Sequence, residues 1–142
     1  MVDIVQTDKG DMELAGLNAR GNGFLNTNAT YHPSSNATTI MLVADRAYRI
    51  KGLNGRVEVA GTDAGAVTAT IFKAPSGTAL SAGTALHSGT FNLKGTAATN
   101  QSLTLSTTDA TLNIAAGDTI GVILTGVLTT ATGGITVALT PR

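Results

Sequence analysis

The sequence predicts an all-β domain of about eight strands, arranged as a sandwich or small barrel behind an extended N-terminal arm. Apolar and polar residues alternate with a period of two in several short runs, as they do in a sheet with one buried face. These runs recur about every 8–12 residues with turn residues between them, a spacing typical of sandwiches and barrels. No run has the 3.6-residue period of a helix longer than two turns.

Residues 1–37 are predicted to form an irregular N-terminal arm, and residues 38–142 the β domain. The arm is rich in asparagine and glycine, which favour turns over regular structure, although residues 8–19 could hold a short helix. Two interpretations of this segment stay open: a loose terminus, or an arm that becomes ordered on a neighbouring subunit. The apolar side chains that such an arm could bury are Leu14, Leu17, Phe24 and Leu25.

The first strand of the domain is predicted over residues 39–44, a continuous apolar run short enough to be a buried strand. Residues 47–51 form the next one, with apolar and basic side chains alternating. Asn54 and Gly55 then form a typical hairpin turn pair, so we expect another strand to begin after them, with two valines on its inner face.

The remaining strands are predicted around residues 67–72, 85–93, 102–106, 112–124 and 135–140. A Gly117-Asp118 turn interrupts the fourth of these runs. Because a short carboxylate side chain in a turn can accept from nearby backbone N–H groups, we expect Asp118 to have a structural role there.

Charge is scarce in the second half of the chain, since residues 64–142 contain only five charged side chains. A surface of hydroxyl and methyl groups suits packing against protein better than it suits catalysis. Over the whole chain nine basic groups balance nine acidic ones, so no basic excess favours a nucleic-acid partner. No apolar run approaches the roughly 20 residues of a membrane span. The N-terminus lacks the features of a signal peptide, so we expect synthesis in the cytoplasm of the producing cell.

The residue types that carry catalysis or bind metals do not occur together at the spacing such sites need. The chain has no cysteine, which excludes disulfides, thiol catalysis and thiolate-bound zinc. His32 and His87 have no histidine or carboxylate neighbour at metal-binding spacing. Asp63, Asp109 and Asp118 all lie in turn sequences, and neither a nucleophile elbow nor a phosphate-binding loop is present. We therefore expect no enzymatic activity, no cofactor and no metal site.

Four basic residues fall within eleven positions of the chain: Arg46, Arg49, Lys51 and Arg56. One interpretation is a solvated strand face. The alternative is an electrostatic contact with an acidic protein surface, because basic charge without interleaved aromatic residues suits nucleic acid poorly.

A low-charge texture rich in threonine, alanine and glycine extends over residues 38–142. It is most evident in Lys73–Leu80 followed by Gly89–Gly95, in Leu112–Val122 with its Gly117-Asp118 turn, and in Gly134–Leu139. In these segments the chain resembles small structural proteins of tailed bacteriophages, above all head decoration (cement) proteins. The resemblance implies an antiparallel, jelly-roll-like β-sandwich that assembles as a homotrimer on the outside of a capsid. It also implies that an N-terminal arm ties the module to the shell.

Residues and resemblance together predict a virion structural protein on the capsid surface, with the major capsid protein and other copies of itself as partners. The predicted contact residues are Leu14, Leu17, Phe24 and Leu25 in the arm, and Arg46, Arg49 and Arg56 in the domain. The alternative is a tail or fibre component that binds a receptor or a carbohydrate. The small number of aromatic residues, two Tyr and three Phe, disfavours that alternative.

Overall fold

The structure, a computed structural model, describes residues 25–33, 35 and 37–142. Within them, ten strands form two antiparallel sheets, joined by loops that contain short 3-10 helices at Leu80–Ala82 and Asp109–Leu112. The strands are β1 (Leu25–Tyr31), β2 (Thr38–Val43), β3 (Tyr48–Val59), β4 (Thr68–Ala74), β5 (Thr84–Ala85), β6 (Phe91–Asn92), β7 (Thr99–Ser102), β8 (Asn113–Ile114), β9 (Thr119–Thr125) and β10 (Thr132–Pro141).

The strand order is that of a jelly roll. Sheet 1 has the order β1-β10-β3-β7, with β8 also paired to β3, and sheet 2 has the order β2-β9-β4-β5, with β6 also paired to β4. The first four strands therefore alternate between the sheets, and each sheet combines strands from both ends of the chain. When β5 with β6, and β7 with β8, are each counted as one interrupted strand, the sandwich has eight strands. The predicted all-β, jelly-roll-like sandwich is confirmed.

Alternation along the strands fills the space between the sheets with aliphatic side chains. Ile71 pairs with Val122 in sheet 2, Leu53 pairs with Val137 in sheet 1, and all four are at most 2% exposed. Burying one such side chain contributes roughly 1.5–3 kcal/mol. With few aromatic residues in the chain, the stability of the sandwich depends on many aliphatic contacts of this kind.

The predicted irregular arm, residues 1–37, is wrong for residues 25–31, which form β1 and pair with β10 along their whole length. Asn26 and Asn28 are exposed residues of this edge strand, while Ala29 and Tyr31 are buried between the sheets. Thr27 Oγ1 donates to Met41 O at 2.6 Å and joins β1 to β2 across one side of the sandwich. The folded domain therefore includes residues before the predicted boundary at 38.

The predicted hairpin turn at Asn54 and Gly55 is also wrong, because β3 runs unbroken through both residues. Lys51 has no partner in the register between β3 and β10 and forms a bulge. The bulge shifts the inward–outward alternation by one residue, so the inward positions change from Ile50 to Leu53. The Asn-Gly pair that predicted a turn therefore lies inside a continuous strand, next to a bulge.

The run predicted as a fully buried strand, residues 39–44, mostly forms β2, which lies at the edge of sheet 2. Ile40 and Val43 are 54% and 62% exposed. Met41 is a bulge in the pairing of β2 with β9, and Met41 and Leu42 pack against the core. The apolar run is therefore divided between the core and the outer surface.

Two aromatic rings of the core pack over glycines of sheet 1. Phe91 lies against Gly55, where a Cβ would come within 3.0 Å of the ring. Tyr31 crosses Gly133, its partner in the β1–β10 register, and its hydroxyl donates to Arg56 O at 3.2 Å. A Cβ on Gly133 would overlap both Arg56 O and the Tyr31 hydroxyl. Only glycine fits at this position without moving the backbone or the ring.

The predicted strands over residues 85–93 and 102–106 are mostly loop, with short strands and an isolated bridge between His87 and Leu105. His87 is 7% exposed, and its Nε2 accepts the Ile71 N–H at 2.9 Å. This contact requires the proton on Nδ1, which lies 3.3 Å from Ser88 O. Burial lowers the pKa of the His87 imidazole, so the folded protein favours its neutral form.

Substituting Gly133→Ala is expected to lower the free energy of unfolding by about 1–3 kcal/mol, because the new methyl group overpacks the β1–β10–β3 contact. Gly134→Ala is the matched control, since a Cβ there meets its nearest atom, Ala29 O, at an ordinary 3.6 Å. We expect the control to change stability by less than about 0.5 kcal/mol. Chemical denaturation followed by circular dichroism measures both, and equal stabilities for the two variants would contradict this account.

Stability is expected to fall as the pH drops below about 6.5, the ordinary pKa of histidine, because the unfolded chain then binds a proton that folded His87 resists. The loss continues until the pH reaches the lower pKa of the folded state. Gln at position 87 can accept the Ile71 N–H without titrating, so His87→Gln should show a shallower decline between pH 7 and pH 5. Identical pH profiles of unfolding free energy for the two proteins would refute the assignment of this pH dependence to His87.

Candidate contact surfaces

The outer side of sheet 1, here called the polar face, carries amide, hydroxyl and charged side chains. Because directly paired residues in antiparallel strands point to the same side, the register defines rows across the sheet. Two neighbouring rows cross all four strands: Asn28, Thr136, Asn54 and Ser102, then Thr30, Gly134, Arg56 and Asn100. Most of these positions are exposed or half-buried, so the polar face is hydrated.

A shallow groove of about 580 Å³ lies on the polar face. Gly133 and Gly134 are among the residues that line it, and the missing side chain at Gly134 leaves a depression between Thr30 and Arg56. Its rim presents hydrogen-bonding groups, including the Asn54 and Asn100 amides. No aromatic ring is among the described residues that line the groove.

The three arginines predicted as contact residues do not form a cluster, because each is paired with a different acid. The N···O distances are 3.2 Å for Arg46–Asp45, 2.6 Å for Arg49–Asp109 and 2.8 Å for Arg56–Glu58. Arg49 and Arg56 both belong to β3 but are seven residues apart, about 20 Å along a strand. The hydrogen bond from Arg49 holds the pKa of the Asp109 carboxyl below its usual range.

The outer side of sheet 2, here called the neutral face, has a different composition. Val122 and Ile71 point into the core, so their neighbours along β9 and β4 point outward. Two rows on this face are Thr38, Ile123 and Thr70, then Ile40, Gly121 and Phe72. In β2, β4 and β9, all of which the structure describes, no charged residue occupies an outward position.

Two lysines in the charge-poor half of the chain hold loops in place. Lys73 belongs to β4 but points inward, where its Nζ donates to Ala110 O at 2.9 Å and Asn113 O at 2.6 Å. It thereby ties sheet 2 to the loop that enters β8, and burial lowers the pKa of its ammonium group. The Nζ of Lys94 donates to backbone carbonyls of residues 63–65.

The aspartates of the β domain are likewise bound within the fold. Asp118 Oδ2 accepts the Ala115 N–H at 2.9 Å, which confirms the structural role predicted for it in the turn. Asp63 Oδ2 accepts the Thr129 N–H at 3.2 Å and joins two loops. Asp109 is the partner of Arg49 described above. Residues 64–142 contain five charged side chains, and four of them have a defined partner in the fold: Lys73, Lys94, Asp109 and Asp118.

Of the apolar residues predicted as arm contacts, only Leu25 lies within the described residues. It is the first residue of β1, pairs with Leu139 and is 36% exposed at the rim of the sandwich. It is therefore part of the domain rather than of a separate arm. Leu14, Leu17 and Phe24 lie outside the described residues, and their contacts stay predictions.

Sequence reasoning missed the neutral face, whose exposed aliphatic residues Ile40 and Val43 were predicted to be buried. The signal that could have identified it is the scarcity of charge combined with threonine at the polar positions of β4 and β9. Among residues 25–33, 35 and 37–142, no group of three or more histidines and carboxylates is placed to hold a metal ion. No helix in this part of the chain is long and apolar enough to span a membrane.

No family model and no curated protein matches the chain. Three solved structures are similar over 84% of it. A chain of the cyanophage Pam1 capsid asymmetric unit is 15% identical, with 84% of that chain covered and a TM-score of 0.45. A chain of infectious bursal disease virus, Gx strain, is 17% identical, with 32% covered and a TM-score of 0.37. A chain of Bacillus endospore appendages, described as disulfide-linked pili, is 15% identical, with 85% covered and a TM-score of 0.31. Every TM-score is below 0.5.

Because Arg49 and Arg56 are bound in separate pairs about 20 Å apart along β3, we expect their contributions to stability to be additive. The loss of unfolding free energy in the Arg49→Ala, Arg56→Ala double variant should equal the sum of the single losses within error. Arg49→Ala combined with Asp109→Ala is the control and should be non-additive, because those side chains touch. Coupling between the two arginines in urea denaturation would show instead that they act as one basic cluster.

Proposed function

We propose that this chain is a virion structural protein that binds the outer surface of a capsid as an oligomer and stabilises the shell. The observation that carries the proposal is the commitment of its charges to the fold, which leaves an uncharged outer sheet face on a rigid sandwich. Such a surface suits permanent contact with protein, since no charge loses water when the surface is covered. The jelly roll, an architecture used by viral capsid domains among others, and the sequence resemblance to phage decoration proteins support it.

The capsid shell would be stabilised by many copies of the same contact, repeated at each bound oligomer. Apolar area removed from water contributes about 25 cal/mol per Å², and an oligomer that reaches neighbouring capsomers binds with more than one site at once. Its partners are the major capsid protein and other copies of itself, in our proposal as a homotrimer. Leu14, Leu17 and Phe24 are proposed to dock the N-terminal segment on the shell, with Leu25 at its junction and Arg46, Arg49 and Arg56 as secondary contacts.

A second candidate function is a tail or fibre module that binds a receptor or carbohydrate. The groove on the polar face favours it, because amide, hydroxyl and guanidinium groups around the rim could bond sugar hydroxyls. The lack of an aromatic ring among its described lining residues disfavours it, since sugars stack on such rings. Glycan binding that is lost in Arg56→Ala, in a protein that capsid shells do not retain, would select this function over the first.

Deleting residues 2–24 is expected to abolish most binding to capsid shells prepared without this chain, while the sandwich stays folded because β1 is intact. Co-sedimentation with the shells measures occupancy, and circular dichroism confirms the fold. The matched control is Arg49→Gln with Arg56→Gln, which should reduce occupancy less. Undiminished binding by the deletion would refute the proposed role of the N-terminal segment, and a full-length chain that shells fail to retain would refute capsid binding itself.

A further inference from the structure

The neutral face ends in an exposed aliphatic strip at the edge strand β2. Ile40 and Val43 point outward there and are 54% and 62% exposed. Beside Ile40, Leu80 covers Gly121, where a Cβ would lie 2.6 Å from Leu80 Cδ2. Ile40 and Val43 are therefore the exposed part of an apolar patch that continues through the buried Leu80 to the half-buried Phe72, and an exposed apolar patch marks an interaction site.

Covering the neutral face buries no charge. Lys73 is the one charged residue in β2, β4 and β9, and its ammonium group points inward to backbone carbonyls. Covering the polar face would instead remove water from the Arg49–Asp109 and Arg56–Glu58 pairs, which costs more than their attraction returns unless the geometry is nearly ideal. Of the two outer faces, the neutral face is the one that associates at lower cost.

Association through the face is also easier than association through the edge of the same sheet. The free edge of β2 is interrupted by the Met41 bulge, and Met41 O already accepts the Thr27 hydroxyl. A bulge and an occupied carbonyl both hinder the addition of another strand. Contact through the outward side chains of the neutral face needs no free backbone groups, so it meets neither obstacle.

We propose that the neutral face packs against a second copy of this chain, centred on Ile40 and Val43. A second copy matches this face, because two faces without outward charges on β2, β4 and β9 meet without leaving any ion unpaired. Threonine hydroxyls both donate and accept, so rows such as Thr38 and Thr70 can satisfy like rows of another copy. The inference deepens the proposed function and rests on it, because it assigns the contact between copies to sheet 2 and leaves sheet 1 free.

The test is the solution mass of the full chain, measured by light scattering after size exclusion at several concentrations. We expect a mass two to three times the 14.3 kDa of one chain, and a fall to the monomer mass in Ile40→Asp. Thr38→Asp, which adds the charge without removing an aliphatic side chain, should weaken association as well. The matched control is Asn28→Asp, which adds the same charge at an outward position of β1, an edge strand of sheet 1, and should leave the mass unchanged.

Circular dichroism spectra like that of the unmodified chain are required of all three variants, and exposed positions on edge strands make folding failures uncommon. A monomeric unmodified chain at its highest soluble concentration would overturn the inference, as would an oligomer that Ile40→Asp and Thr38→Asp leave intact. A monomer that shells still retain would reject the copy–copy contact alone and assign the neutral face to the capsid. An oligomer that shells do not retain would reject capsid binding alone.

Discussion

Glycines at the centre of sheet 1 determine how this sandwich packs. Its core contains few aromatic rings, and Tyr31 and Phe91 each lie where a glycine of a neighbouring strand leaves room. The Tyr31 hydroxyl passes over Gly133 to the carbonyl of Arg56, so one side chain fixes β1 against β10 and β3 together. Gly134, the next residue along β10, faces the other side of the sheet and leaves the groove there.

The class of fold could be predicted from the sequence because alternation and turn spacing are local signals, and most of the aliphatic residues predicted to face inward do so. Where prediction failed, the cause was not local. The Asn54-Gly55 pair predicts a turn by residue type alone, but its pairing with β10 and β7 keeps both residues inside β3. Asparagine was interpreted as a turn former in residues 25–31, although an edge strand can expose it at every second position. Whether the run at 39–44 is central or at an edge depends on strand order, which single-sequence patterns do not specify.

Contact residues were harder to predict than the fold. Arg46, Arg49 and Arg56 are close in sequence, yet strand geometry separates them and gives each its own acid. The neutral face is the reverse case, since Ile40, Ile123 and Phe72 are far apart in sequence and are joined only by the register of three strands. What the sequence did indicate was the scarcity of charge. The structure adds that Lys73, Lys94 and Asp118 are bound within the fold, and that β2, β4 and β9 carry no charge at an outward position.

We propose that this sandwich is an assembled part of a virus shell. Electron cryo-microscopy of capsid shells incubated with the full chain tests it most directly, at a resolution sufficient to orient the two sheets. We expect density on the outer surface in clusters of copies, with their neutral faces directed at one another and their polar faces in contact with shell or solvent. Shells without added density, or isolated copies whose neutral faces lie open to solvent, would contradict it.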